Sequence, residues 1–171
     1  PRPYMGFVQD HAAELAQEAL LRLGPSERHF ADALDDGTPI VVRLKREGAG
    51  LLIDFAGTGP EVAGNLNAPR AVTLAAIIYF LRALVGKPIP LNGGLLRAIS
   101  VHIPERSVLS PGPDAAVAGG NVETSQAVTN CLFGALAQAV PEKVTADSMG
   151  GSTLPTIAGW VDGKPYVFCE T

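Results

Sequence analysis

The chain has 171 residues, the length of one domain. Hydrophobic residues make up 47% and charged residues 18%, which supplies a core and excludes a disordered chain. The formal net charge is −4 and the basic residues form no stripe, so nucleic acid is excluded as the expected partner.

Val8, Ala12, Leu15, Ala16, Ala19 and Leu23 recur at helical spacing before Gly24-Pro25, and predict an amphipathic helix over 8–23. A short strand is expected over 28–34, then a turn at Asp35-Asp36-Gly37. Ile40, Val42 and Leu44 alternate with residues of the other face, and Leu51, Ile53 and Phe55 alternate again. With the turn at 46–50 they predict a β-hairpin, 39–46 with 50–56. The glycine-rich loop 56–69 is long for a compact domain, which points to function. Asn67 is placed to cap the next helix, with Pro69 near its first turn. That helix, 70–85, is apolar nearly all round, so it is expected to be central, and Gly86 ends it. It contains Tyr79 and Arg82 and is shorter than the about 20 residues of a membrane span, so no membrane is expected.

Residues 97–103 read as a strand ended by Pro104. A third helix is expected over 122–139, with Val128, Leu132, Ala135, Leu136 and Ala139 on one face and Pro141 as its stop. A small-residue loop, 147–153, follows. Asp162-Gly163 then joins strands 156–161 and 165–170 in a hairpin. The expected fold class is α+β: antiparallel β-hairpins packed against three helices, without doubly wound order.

Two stretches carry residues suited to chemistry. Gly119-Gly120 precedes Asn121, Glu123, Thr124, Ser125 and Gln126 at the predicted start of the third helix. Free N–H groups there, with the hydroxyls of Thr124 and Ser125, suit a carboxylate, a phosphate or a developing oxyanion. Glu123 argues against a phosphate, no Walker sequence is present, and an ordinary capped helix is the competing reading. Asp54, Thr58, Asn65 and Asn67 lie at or in the 56–69 loop. An ionised Asp54 could orient a base or bind a cation, and a cluster of turns and caps is again the alternative. His11, His29 and His102 have no metal-ligand spacing, so no metal ligands are expected in this segment. Cys131 and Cys169 lack a CxxC partner and read as buried free thiols in a reducing, cytoplasmic setting, in keeping with the absence of a signal-peptide pattern.

Several stretches together resemble the hydantoinase B family, which includes the N-methylhydantoinase B subunit, the matching half of 5-oxoprolinase and a subunit of acetone carboxylase. They are Tyr4-Met5-Gly6 with Val8-Gln9-Asp10, Leu34-Asp35-Asp36-Gly37-Thr38, Ile53-Asp54-Phe55-Ala56-Gly57-Thr58, Asn65-Leu66-Asn67-Ala68-Pro69, Ile89-Pro90-Leu91-Asn92, Pro111, and the run from Ala118 to Gln126. The resemblance implies ATP-dependent chemistry on a cyclic amide or a ketone, with ATP handled by a hydantoinase A-type partner subunit. For such chemistry the candidate catalytic residues are Asp54, Thr58, Asn121, Thr124 and Gln126, and the candidate substrate contacts Asn65, Asn67, Gly119, Gly120 and Ser125. The resemblance also implies a divalent metal in the full-length protein, held by a segment resembling NDPY-x-GGTH-x-x-D that this chain lacks. The start at Pro1 and the end within a strand agree with an internal fragment, a domain or part-domain, expected to be inactive alone. A scaffold segment that binds the A-type partner and part of a ketone carboxylase are the alternatives.

Overall fold

The computed structural model describes residues 2–89, 92–146 and 155–169. The first helix, α1 (Arg2–Leu20), continues into a 3-10 turn at Leu21–Leu23. It begins earlier than the apolar spacing predicts. Three antiparallel strands follow: β1 (Arg28–Ala33), β2 (Pro39–Glu47) and β3 (Gly50–Asp54). Glu47 pairs with Gly50, and Gly48 turns the hairpin with φ of 62°, a left-handed value that suits glycine.

Helix α2 (Arg70–Val85) has the expected bounds and ends at Gly86, whose left-handed φ of 63° lets its N–H reach the Arg82 carbonyl. Asn67 does not cap it. Pro69 occupies the N-cap position with no side-chain hydrogen bond, and Asn67 is used elsewhere. Strand β4 (Ile99–His102) then joins β3 in parallel, completing a sheet of order β1-β2-β3-β4. The crossover runs through α2 and a 3-10 turn at Leu95–Ala98. No local pattern marks this parallel pairing, which needs contact between residues almost fifty positions apart. Helix α3 (Thr124–Ala137) follows a 3-10 turn at Gly119–Asn121, and the hairpin β5 (Thr156–Val161) with β6 (Lys164–Cys169) stands as a separate two-stranded sheet.

The architecture is α+β, with three helices on one face of the four-stranded sheet. Ile40, Val42, Leu44, Leu51 and Ile53 point inward from β2 and β3 and are buried. They meet Val128, Cys131, Leu132, Ala135 and Leu136 of α3, which packs on β1 and β2. Helix α2 lies between α1 and α3 and touches both, the central place expected for it. The alternate residues of the strands, among them Arg43, Lys45, Asp54 and His102, face outward from the sheet. Cys131 is buried as expected, but Cys169 is exposed, because the β5–β6 hairpin buries neither of its faces among the described residues.

Candidate functional site

The loop 56–69 and the run 116–126 come together, and backbone contacts join them. Gly119 donates its N–H to the Asn65 carbonyl at 2.8 Å. Gly120 packs so closely that a Cβ there would sit 2.1 Å from the Asn67 carbonyl oxygen. The Thr124 hydroxyl, fully buried, donates to the Leu66 carbonyl. Asn67 is also fully buried: its Oδ1 accepts the Val62 N–H at 2.8 Å, and its Nδ2 donates to the carbonyls of Val62, Gly64 and Ala116 at 2.8, 3.0 and 3.0 Å.

This changes the meaning of the glycine pair. The two glycines let the two loops approach closely, since the direction a Cβ would take at each is filled by the neighbouring loop. The Gly119 carbonyl accepts the N–H groups of Val122 and Glu123, and no side chain of the polar run caps α3. Ser125 donates to the Asn121 carbonyl at 2.7 Å, while the Asn65 and Asn121 side chains are exposed. Thr58 is tied to the sheet: its hydroxyl accepts the Val41 N–H at 3.1 Å and donates to the Val41 carbonyl at 3.2 Å. The sequence here holds no Walker-type phosphate loop.

Asp54 belongs to a different constellation, on the outer face of the sheet. His29, Arg43, Asp54 and His102 are direct cross-strand neighbours from β1 to β4. The Asp54 side chain is only 7% exposed. One carboxylate oxygen takes His102 Nδ1 at 2.6 Å and the Ala56 N–H at 2.9 Å; the other takes the Arg43 guanidinium. Burial works to raise its pKa, but the hydrogen bonds from His102, Ala56 and Arg43 outweigh burial and hold it at about 2. An ionised carboxylate only accepts, so the hydrogen between the pair sits on His102 Nδ1. The His102 side chain is 58% exposed. A buried carboxylate behind an outward imidazole suits proton transfer. Sequence reasoning proposed Asp54 and passed over His102 and Arg43. The strand alternation puts His102 on one face, but only the parallel register puts it beside Asp54.

The exposed Gln126 side chain, at the end of the 116–126 run, lines an open cavity of about 620 Å³ beside α3. Phe30, Tyr79 and Phe133 form its aromatic walls, and Gln126, Thr129 and Asn130 supply polar groups. The small-residue loop at 147–153 falls outside the described residues. Among the described residues no group of three or more His, Cys, Asp or Glu side chains is arranged to hold a metal ion.

A family model described as Hydantoinase B/oxoprolinase matches residues 2–171. The chain belongs to the hydantoinase B/oxoprolinase family. It is 42% identical over 153 residues to the 5-oxoprolinase of Saccharomyces cerevisiae, covering 86% of this chain and 11% of that protein. The ATP-dependent caprolactamase of Pseudomonas jessenii shares the fold, with a TM-score of 0.77 and 22% identity over 97% of this chain and 30% of that chain. A nucleotide-free acetone carboxylase does so with a TM-score of 0.74 and 12% identity, over 93% of this chain and 24% of the other. This member of the hydantoinase B/oxoprolinase family thus spans about a tenth of the yeast relative's length. Among its described residues, no helix is long and apolar enough to cross a membrane.

Proposed function

We propose that this chain is part of an ATP-dependent hydrolase of cyclic amides, related to 5-oxoprolinase and N-methylhydantoinase. The observation that carries the reading is the family match along the whole chain, joined to 42% identity with a 5-oxoprolinase. In this reading a hydantoinase A-type subunit handles ATP in the cytoplasm, and this chain holds no Walker-type phosphate loop. A divalent metal would take its ligands from residues outside this chain, and the chain by itself has no turnover. Gln126 contacts substrate. Asp54 is a positioning residue that orients His102 for proton transfer. Thr58, Asn65, Asn67, Gly119, Gly120, Thr124, Asn121 and Ser125 act by holding the loops in place.

The test is an assay of the polypeptide carrying this chain together with an A-type subunit. ADP release coupled to ring opening of 5-oxoproline or a hydantoin is the expected result. ATP-coupled carboxylation of a ketone without ring opening would replace this reading by the acetone-carboxylase one. A scaffold role has one observation in its favour: Tyr4, Met5 and Phe7 of α1 and Ile157, Trp160 and Val167 of the β5–β6 hairpin are exposed. It predicts that His102→Ala and Gln126→Leu leave turnover unchanged.

A further inference from the structure

We propose that the cavity beside α3 seats the ring of a cyclic amide, read by the carboxamides of Gln126 and Asn130. This rests on the hydrolase reading above and names where its substrate binds. A volume of about 620 Å³ lies in the usual range for small-molecule sites, roughly 300–1,000 Å³. The cavity follows one stripe of α3, where Gln126, Asn130 and Gly134 succeed one another at a spacing of one turn. Phe30 can lie against this stripe because Gly134 has no side chain: a Cβ there would come within 2.6 Å of the Phe30 ring. Phe133 is braced edge-on by Tyr79 and by Phe80, with centroids 6.1 and 5.8 Å apart. Flat, partly rigid apolar walls of this kind suit a small ring.

The polar groups narrow the ligand class. Among the described residues neither the Gln126 nor the Asn130 carboxamide has a protein hydrogen-bond partner; Gln126 is exposed and Asn130 half-buried, so both are open to a ligand that replaces water. Thr129 has already given its proton to the Ser125 carbonyl at 2.8 Å and can only accept from a ligand. No charged side chain is among the described lining residues, so these groups suit the neutral amide ring, with any charged substituent turned to water. An amide closed into a small ring is held cis, so its C=O and N–H lie side by side. A primary carboxamide presents an acceptor and a donor with the same spacing, and the two can form a pair of parallel hydrogen bonds. Ring opening destroys that pairing, because the product carries its amine and carboxylate on separate ends. The cavity therefore favours closed substrate over open product.

The test uses the full-length protein with its A-type partner. Binding of 2-piperidone, a neutral six-membered lactam, is measured by ligand-observed NMR without ATP. N-methyl-2-piperidone, which lacks the N–H, is the comparison. The expected result is that N-methylation, Gln126→Leu and Asn130→Leu each weaken binding by about tenfold, as for loss of one neutral hydrogen bond or more. Asn130→Asp, nearly isosteric, guards against misfolding and is expected to weaken binding at least as much. Equal binding of the two lactams, or unchanged binding by the folded variants, overturns the proposal. If the enzyme still opens cyclic amides with unchanged KM in Gln126→Leu and Asn130→Leu, the cavity assignment falls while the hydrolase reading stands. If the wild-type enzyme opens no cyclic amide and the lactam does not bind, both fall.

Discussion

Replacing Asn67 by alanine tests whether the loops around the candidate site are held by this one side chain. Asn67 is fully buried and makes one accepted and three donated contacts of 2.8–3.0 Å, to Val62, Gly64 and Ala116. Two amide protons serve three carbonyls, so the contacts amount to about three full hydrogen bonds. Each contributes about 1 kcal/mol net, and each buried group left without a partner costs about 1–3 kcal/mol. Asn67→Ala is therefore expected to destabilise the region by roughly 3–5 kcal/mol. Asn67→Asp keeps the size and the bond from the Val62 N–H, but aims a carboxylate at three carbonyl oxygens. Its loss at neutral pH should exceed that of alanine and shrink in acid, as the new carboxyl takes up a proton. Hydrogen–deuterium exchange over residues 60–68 and 116–120, with urea unfolding, reads both effects. Unchanged protection and a loss below about 1 kcal/mol in Asn67→Ala would refute the reasoning. Loss of turnover with stability intact would put Asn67 on the substrate instead.

Asp54 predicts a pH dependence. Its folded pKa is about 2 against 3.8 for the free side chain, so its contribution is complete above about pH 4 and is lost as pH falls through about 2. The contribution is roughly 2 kcal/mol, and Asp54→Asn should flatten acid unfolding over that window in a urea titration series. Gly120→Ala should destabilise by about 1–3 kcal/mol or more, because its Cβ meets the Asn67 carbonyl. Gly64→Ala, with nothing within 4 Å, is the control, and equal melting temperatures for the two would show that the loops yield freely.

The candidate site was legible in part, and the split follows chemistry. Asp54 and Gln126 stood out as polar groups near glycine-rich turns, and the structure gives each one a constellation. Thr58, Asn67 and Thr124 stood out for the same reason, yet their polar atoms face backbone groups of the neighbouring loop or strand. A buried backbone carbonyl or N–H needs a partner as much as a ligand does. Sequence alone does not distinguish a side chain that meets a loop from one that meets a substrate. Asn130, Phe30 and Tyr79 escaped notice because the cavity they share joins α3 to β1 and α2, elements far apart in the chain.

What the sequence determined by itself was local. The bounds of α2, its stop at Gly86, the β2–β3 hairpin and the turn at Asp162-Gly163 depend on residues at most a few positions apart. Apolar spacing, a positive φ suited to glycine and strand alternation all act at that range. The parallel pairing of β3 with β4, the Asp54–His102 contact and the seat of Gly120 on Asn67 depend on which distant segments come to share the core. Only the tertiary structure decided these, because hydrophobic burial is non-directional and the partner of each polar group is settled only once the packed segments have brought it within reach.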